Sequence, residues 1–286
     1  MKEALYIENA FWQSAGTRAL KHTLQAAAAR QGILLTARTN ADFMAEGSLY
    51  GLPPAALFWD KDQRLAQLLE GEGLRLFNSA ESIRRCDDKA QAWLCLKKSG
   101  LPMPETLLCP FTFENVGYTQ LDFLQHAARR LGLPFVIKAA CGSFGAQVYL
   151  ARTVEEASQR VSALAGQQVI LQRFISESAG HDLRLYVVGG RVVASMRRVN
   201  RNGDFRANIA GGGTAEKHVP SAEEEALSLS SCRLLGLDFG GVDLLESKEG
   251  PLLCEVNSNA HFAALAELTG VNPADYIISL LSEALA

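Results

Sequence analysis

No Cys-x-x-Cys occurs among the cysteines, which stand far apart at positions 86, 95, 109, 141, 232 and 254. That spacing speaks against a zinc site and against a disulfide framework, leaving reduced, mostly buried thiols. No apolar run approaches the ~20 residues that a membrane-spanning helix requires. Neither sign of charge is in excess. There are 28 Lys plus Arg against 31 Asp plus Glu, a formal net charge of −3, so a basic footprint for nucleic acid is missing. The first residues, Met1 to Tyr6, read as a strand entry and lack the apolar core and cleavage site of a signal peptide. Repeats, low-complexity stretches and long charged blocks are absent as well. So are G-x-x-x-x-G-K-[ST], H-E-x-x-H and any legible Ser-His-Asp or Cys-His arrangement. His22, His126 and His218 stand alone and read as ordinary surface or helix residues. What remains is 286 residues, 48% of them hydrophobic. The expectation is a cytoplasmic globular protein, in one large domain or two to three small ones sharing a core.

The hydrophobic period switches repeatedly between strand-like runs and helical stretches. Strands at 4–8, 33–36, 55–59 and 74–77 alternate with helices at 17–30 and 63–70. This alternation predicts a small doubly wound unit with a parallel sheet. The strand at 4–8 leads into Asn9-Ala10-Phe11-Trp12 rather than G-x-G-x-x-G, so a dinucleotide is not expected there. Asn78-Ser79 opens a helix, and a second runs from about Asp87 to Lys98, stopped by Gly100 and the following prolines. Further on come strands at 135–138, 147–151 and 169–173, a hairpin turned by Gly189-Gly190, a helix at 222–235, a second hairpin and a helix at 273–285. The fold class is α/β and α+β, divided into units 1–82, 83–174 and 175–286.

Three segments carry chemistry. Lys138 ends a buried strand, and Gly142, Ser143, Phe144 and Gly145 follow in a loop that leads into another strand. Glycines let backbone N–H groups approach phosphate oxygens, and the lysine adds a point charge. This suits a flap folded over phosphates more than a helix-terminus cradle; a plain hairpin with a solvated lysine is the other reading. Residues 241–257 form a hairpin with a five-residue loop at 247–251, which faces residue 246 with 252 and sets Asp243 opposite Glu255. Asn257 joins them two residues on. Two carboxylates and an amide oxygen among apolar neighbours want a cation, and all-oxygen ligands select Mg²⁺ or Mn²⁺. The alternative is a polar outer face of a two-stranded ribbon. In the third segment Arg197, Arg198, Arg201 and Arg206 cluster beside Gly211-Gly212-Gly213. Arginines there suit phosphate or carboxylate recognition, although a solvated basic face or an RNA-contacting patch would look alike.

Taken in order, from about Asn78 to Asn257, these segments resemble the ATP-grasp carboxylate–amine ligases, specifically the RimK-type branch. The resemblance implies an N-terminal Rossmann-like domain and two α+β subdomains that clamp ATP. Lys89 and Lys138 match the family's ATP-contacting lysines, and Gly142, Ser143 and Gly145 its phosphate loop. Gln172, Arg173, Phe174 and Ile175 match the strand that meets adenine. Asp182 matches an acidic nucleotide-binding position, Arg206 and Asn208 the phosphate and metal end, and Asp243, Glu255 and Asn257 the metal ligands. The family's hinge acid is replaced by Arg173, and its Ser-Pro-Gly after the last ligand by Ser258-Asn259-Ala260-His261-Phe262. That second departure puts Asn259 on the substrate side. Arg184 and Arg197, on facing strands of the Gly-Gly hairpin, are expected to bind substrate carboxylates.

The resemblance implies ATP and Mg²⁺ or Mn²⁺, with two ions, as cofactors. It implies an acyl phosphate formed from ATP and then captured by an amine, with Lys138 and Arg206 offsetting charge on the transferred group. The expected partners are a small-molecule or peptide carboxylate and an amine, glutamate-like from the arginine richness, with no nucleic acid or membrane. A homodimer or homotetramer is expected. The rivals are a D-alanine–D-alanine-type or other amino-acid ligase, and an ATP-binding sensor or scaffold without chemistry.

Overall fold

The computed structural model describes residues 2–46, 49, 51–142, 145, 147–207 and 212–286. The chain begins with β1 (Lys2–Glu8), α1 (Ala15–Arg30), β2 (Ile33–Thr39), α2 (Asn40–Glu46), β3 (Ala55–Trp59), α3 (Gln63–Gly71) and β4 (Arg75–Phe77). These strands form a parallel sheet in the order β2-β1-β3-β4, the doubly wound unit that the alternation predicts. Next come α4 (Ala80–Asp87), α5 (Lys89–Leu96), β5 (Thr106–Leu108), α6 (Phe123–Leu131), β6 (Phe135–Ala139), β7 (Val148–Ala151), α7 (Val154–Ala163) and β8 (Val169–Arg173). The second sheet is antiparallel, β5-β8-β6-β7.

The third stretch holds β9 (His181–Val188), β10 (Arg191–Val199), β11 (Thr214–Lys217), α8 (Ala222–Leu235), β12 (Phe239–Ser247), β13 (Gly250–Asn257), α9 (Ala263–Thr269) and α10 (Pro273–Ala284). Its strands form an antiparallel sheet, β11-β10-β9-β12-β13. Among the described residues no helix is long and apolar enough to cross a membrane.

Local signals explain the helices. The Ser14 hydroxyl accepts from the Thr17 N–H at 3.1 Å, and Thr17 Oγ1 accepts from the Ser14 N–H at 2.9 Å. Leu20, Leu24, Ala27 and Ala28 then recur on one buried face of α1. Asp88 is extended, at φ −111° and ψ 109°, and its carboxylate accepts from the N–H groups of Ala90 and Gln91. That cap separates α4 from α5 and starts α5 at Lys89, where the backbone N–H of Lys89 also donates to the Ala140 carbonyl at 2.9 Å.

Each sheet is built from one stretch of chain, but one large core cluster is not. Leu20, Leu24 and Ala27 of α1 share a hydrophobic cluster with Ile277, Ile278 and Leu281 of α10, and with Tyr186 and Phe239 of the third sheet. Asn78, fully buried, pins the same junction. Its Nδ2 donates to the carbonyls of Phe239 at 2.9 Å and Ser258 at 2.8 Å, while its Oδ1 accepts from the N–H groups of Asp238 and Phe239.

Candidate active site

A cavity of about 730 Å³ is bordered by all three sheets, within the ~300–1,000 Å³ usual for small-molecule sites. One wall is apolar: Val136 of β6, Val148 of β7, Phe174 and Ile175 after β8, and Leu245 of β12. Phe174 meets Phe205 edge-on, with ring centroids 6.2 Å apart. Gln172 is buried and works inward: its Oε1 accepts from Lys138 Nζ at 2.7 Å and its Nε2 donates to Thr106 Oγ1 at 3.0 Å. The guanidinium of Arg173, where an acid was expected, pairs with Glu105. Glu105 is held below its usual range by Arg130 first, then Arg173. The Arg173 N–H donates to the Glu105 carbonyl at 2.8 Å, so the strand edge is tied to β5.

Cationic groups converge beside the apolar wall. Lys138 is buried at the end of β6, and its ammonium meets the Gln172 amide oxygen and, at 3.6 Å, Cys254 Sγ. Burial pushes the Cys254 thiol up, so both acceptors are neutral and the site keeps the lysine's charge. Lys89 donates to the Gly142 carbonyl at 3.2 Å and lies 3.6 Å from Glu255. Arg206 donates Nη1 to the Gly145 carbonyl at 2.8 Å, and Asp204 raises its already high pKa. Lysine and arginine thus reach Gly142 and Gly145, the two described glycines of that loop. Ser143 and Asn208 lie outside the described residues.

The carboxylates sit in an alternating charge cluster. Asp243 on β12 faces Arg184 on β9, which donates Nη2 to Oδ2 at 2.7 Å and Nε to Oδ1. Arg198 on β10 reaches the same Oδ2 at 2.9 Å and holds Asp182 with two bonds of 2.6 Å. Burial alone would raise the Asp243 carboxyl, but Arg184 and then Arg198 outweigh it and hold the group below its ordinary value. Gly241 makes room for this packing, since a Cβ there would come within 2.6 Å of the Ala260 methyl and 3.2 Å of Arg184 Cδ.

Two bulges decide which side chains enter the cavity. In the Gly-Gly hairpin the register shifts between Val192 and Ala194, so Arg184 faces Met196 and Asp182 faces Arg198. Without the surplus Val193, Arg197 would stand opposite Asp182; the slip turns Arg197 to the other face. There it does not line the cavity and instead meets Glu246 at 3.0 Å. The expectation for Arg197 is corrected: Arg198 takes the inward place. In the second hairpin the turn is shorter than expected, since Ser247 pairs with Gly250 and Glu246 with Pro251. Asp243 still faces Glu255, because a shift between Asp243 and Leu244 absorbs Cys254 as the extra residue. Leu253 and Val256 point into the core while Cys254 and Glu255 both line the cavity.

Asp243, Glu255 and Asn257 all line the cavity, so the hard-oxygen donors named from the sequence are gathered. They fit a Mg²⁺ ion in kind. Glu255 and Asn257 project from one strand, whereas both oxygens of Asp243 are engaged by guanidinium groups. Among the described residues no group of three or more His, Cys, Asp or Glu side chains is gathered for a metal. An ion held here would add an amide oxygen and nucleotide phosphates to the carboxylates.

Sequence reasoning missed the N-terminal contribution. Asn9 and Trp12 after β1, and Trp59, Asp60 and Lys61 at the end of β3, line the cavity, as does His261. The legible signal was position: ligands of parallel sheets gather beyond the carboxyl ends of adjacent strands.

The family model of the RimK-like ATP-grasp domain matches residues 86–281. The chain belongs to the RimK-like ATP-grasp family. A relative from Syntrophotalea carbinolica, described as "Probable alpha-L-glutamate ligase", is 36% identical over 208 residues, 72% of this chain and 66% of the relative. One from Maridesulfovibrio salexigens with the same description is 35% identical over 213 residues, 74% of this chain and 68% of the relative. The chain thus spans about two thirds of the length of these relatives. In fold it is similar to D-alanine–D-alanine ligase from Bacillus anthracis complexed with ATP, at a TM-score of 0.76 and 16% identity over 100% of this chain and 97% of that one. It is likewise similar to a D-cycloserine synthetase, at a TM-score of 0.75 and 21% identity over 99% of this chain and 100% of that one. The fold is ATP-grasp, and these relatives are described as ligases.

Proposed function

We propose that this cavity activates a carboxylate with ATP and joins it to the amine of a glutamate-like amino acid. The observation that carries this reading is the buried ammonium of Lys138, met among the described residues by neutral acceptors, in a cavity that also holds Asp243, Glu255 and Asn257. A cation kept uncompensated in a low-dielectric wall is complementary to phosphate. The apolar wall at Val136, Val148, Phe174, Ile175 and Leu245 suits adenine, with the backbone beyond Gln172 available to its edge. Arg206 and Lys89, each tied to the glycine loop, hold that loop over the phosphates and exclude water.

The carboxylate oxygen attacks the γ-phosphorus, the bond to the bridging oxygen breaks, and ADP leaves an acyl phosphate. The amine nitrogen then attacks the acyl carbon, phosphate departs, and the nitrogen loses a proton to give the amide. Lys138 and Arg206 offset the charge that grows on the transferred group. Glu255, Asn257 and Asp243 would hold Mg²⁺, two ions in the family's manner, which when bound neutralises phosphate oxygens. Arg184, on the cavity face, is the group for a substrate carboxylate; glutamate, from the relatives' description, is the amine substrate we propose.

The test is phosphate release from Mg-ATP against amino acids, dipeptides and acidic metabolites, with mass detection of products. The expected result is acceptor-dependent release with a condensed product, falling about 100-fold or more in Asp243→Ala and Glu255→Ala. Tight ATP binding without turnover across the panel would instead favour a sensing role.

A further inference from the structure

The cavity wall formed by the N-terminal sheet carries buried polar atoms that the described residues do not satisfy. β1 and β3 are parallel neighbours, so Asn9 and Asp60 follow their carboxyl ends side by side. Asn9 Nδ2 donates to Asp60 Oδ1 at 3.1 Å, and the Lys61 N–H donates to the same oxygen at 2.7 Å. The other oxygen, Oδ2, is buried and meets no donor among the described residues, in a residue only 6% exposed. The Lys61 ammonium pairs with Asp87 at 3.1 Å. Asn259 donates Nδ2 to the Asp60 carbonyl at 2.9 Å, and its Oδ1 is buried and, among the described residues, unpartnered as well. His261, its ring 5.6 Å from that of Trp12, has Nε2 in the same state.

Buried acceptors without donors are costly, and native chains rarely gather them without a use. Asp60 Oδ2 and Asn259 Oδ1 can only accept, and Asp60 brings negative charge. The complementary group is therefore a cation with several N–H bonds and little bulk. Arg184, a cation of the third sheet, lines the same cavity as His261, whose basicity is lowered by burial first and by Arg184 second. A ligand bridging the two ends carries an ammonium at one and a carboxylate at the other.

We propose that Asp60 and Asn259 form the ammonium subsite for the amine substrate, an α-amino acid whose carboxylate faces Arg184. This rests on the ligase reading and adds to it the element that selects the amine. It also gives a role to Asn259, the first residue to depart from the Ser-Pro-Gly pattern after Asn257.

The test measures binding of L-glutamate to the protein with Mg²⁺ and a non-hydrolysable ATP analogue by calorimetry, alongside KM in turnover. Glutarate, the same diacid without the ammonium, serves as the reference probe. Asp60→Asn is expected to weaken L-glutamate about tenfold or more, leaving ATP KM and glutarate affinity within about twofold. Asn259→Ser, which draws the acceptor back, should act in the same direction and covers the case in which Asp60→Asn fails to fold. Glutamate affinity unchanged in a folded variant, or glutarate weakened as much as glutamate, overturns the subsite and leaves the ligase reading standing. A wild-type protein that ligates other amines but neither binds nor uses L-glutamate overturns the glutamate assignment and this subsite with it. No ATP turnover with any amine sinks the ligase reading itself.

Discussion

Lys138 shows how much chemistry one residue concentrates. Its place at the end of a buried strand was legible, because a lysine closing Phe135-Val136-Ile137 has nowhere apolar to put its charge. What the sequence withheld was Gln172, which fixes the ammonium from the neighbouring strand. Lys138→Met removes a desolvated charge but strands the Gln172 oxygen, two effects of opposite sign. The melting temperature should therefore move by less than about 4 °C. Turnover should fall about 100-fold or more, read by phosphate release. Cysteine reactivity gives a second residue-level check. Cys95 and Cys141 are exposed, and Cys141 lies on the cavity rim while Cys95 does not. Maleimide should label both before the buried thiols, and Mg-ATP should protect Cys141 alone. Protection of neither would move the nucleotide away from the glycine loop.

At the scale of the element, the strands near the site were largely readable and their irregularities were not. Alternation of apolar and polar residues places β9, β10, β12 and β13, since each has one face on the core. A bulge adds one residue without altering composition, so Val193 and Cys254 carry no mark in the chain. That is why alternation alone favours Arg197 over Arg198 and makes the loop of the second hairpin too long, although it sets Asp243 opposite Glu255 as the structure does. The short elements β5, β11, α2 and α9 escaped notice because so few residues show no period. The shifted register makes a direct prediction. Arg198→Leu leaves the buried carboxylates of Asp182 and Asp243 undercompensated and should cost about 3–5 kcal/mol in urea unfolding. Arg197→Leu, on the opposite face beside a half-exposed Glu246, should cost less than about 1 kcal/mol. Equal costs would mean that the two side chains are not on opposite faces.

For the whole molecule, units drawn along the chain at 82 and 174 follow the sheets but cut through a core. Hydrophobic periodicity tells which face of a helix is buried and is silent about what covers it, so nothing in α1 announces α10. Ile277, Ile278 and Leu281 are fully buried in the cluster that contains Leu20 and Trp59. Leu281→Ala should therefore destabilise by about 2–5 kcal/mol. Unfolding should remain a single transition, with tryptophan fluorescence and far-ultraviolet dichroism tracing the same curve. An early, separate loss of the N-terminal sheet would show that the shared core does not bind the units together.

The pairing of α1 with α10 also sets a schedule for synthesis. A ribosome delivers the parallel sheet and α1 long before α10, and the apolar face of α1 then waits for all the chain between them before its cover arrives. During that interval the nascent unit is an adhesive surface, prone to association and suited to capture by a chaperone. Stalling translation before residue 273 should yield nascent chains whose N-terminal sheet is protease-sensitive, although every one of its strands has already been made.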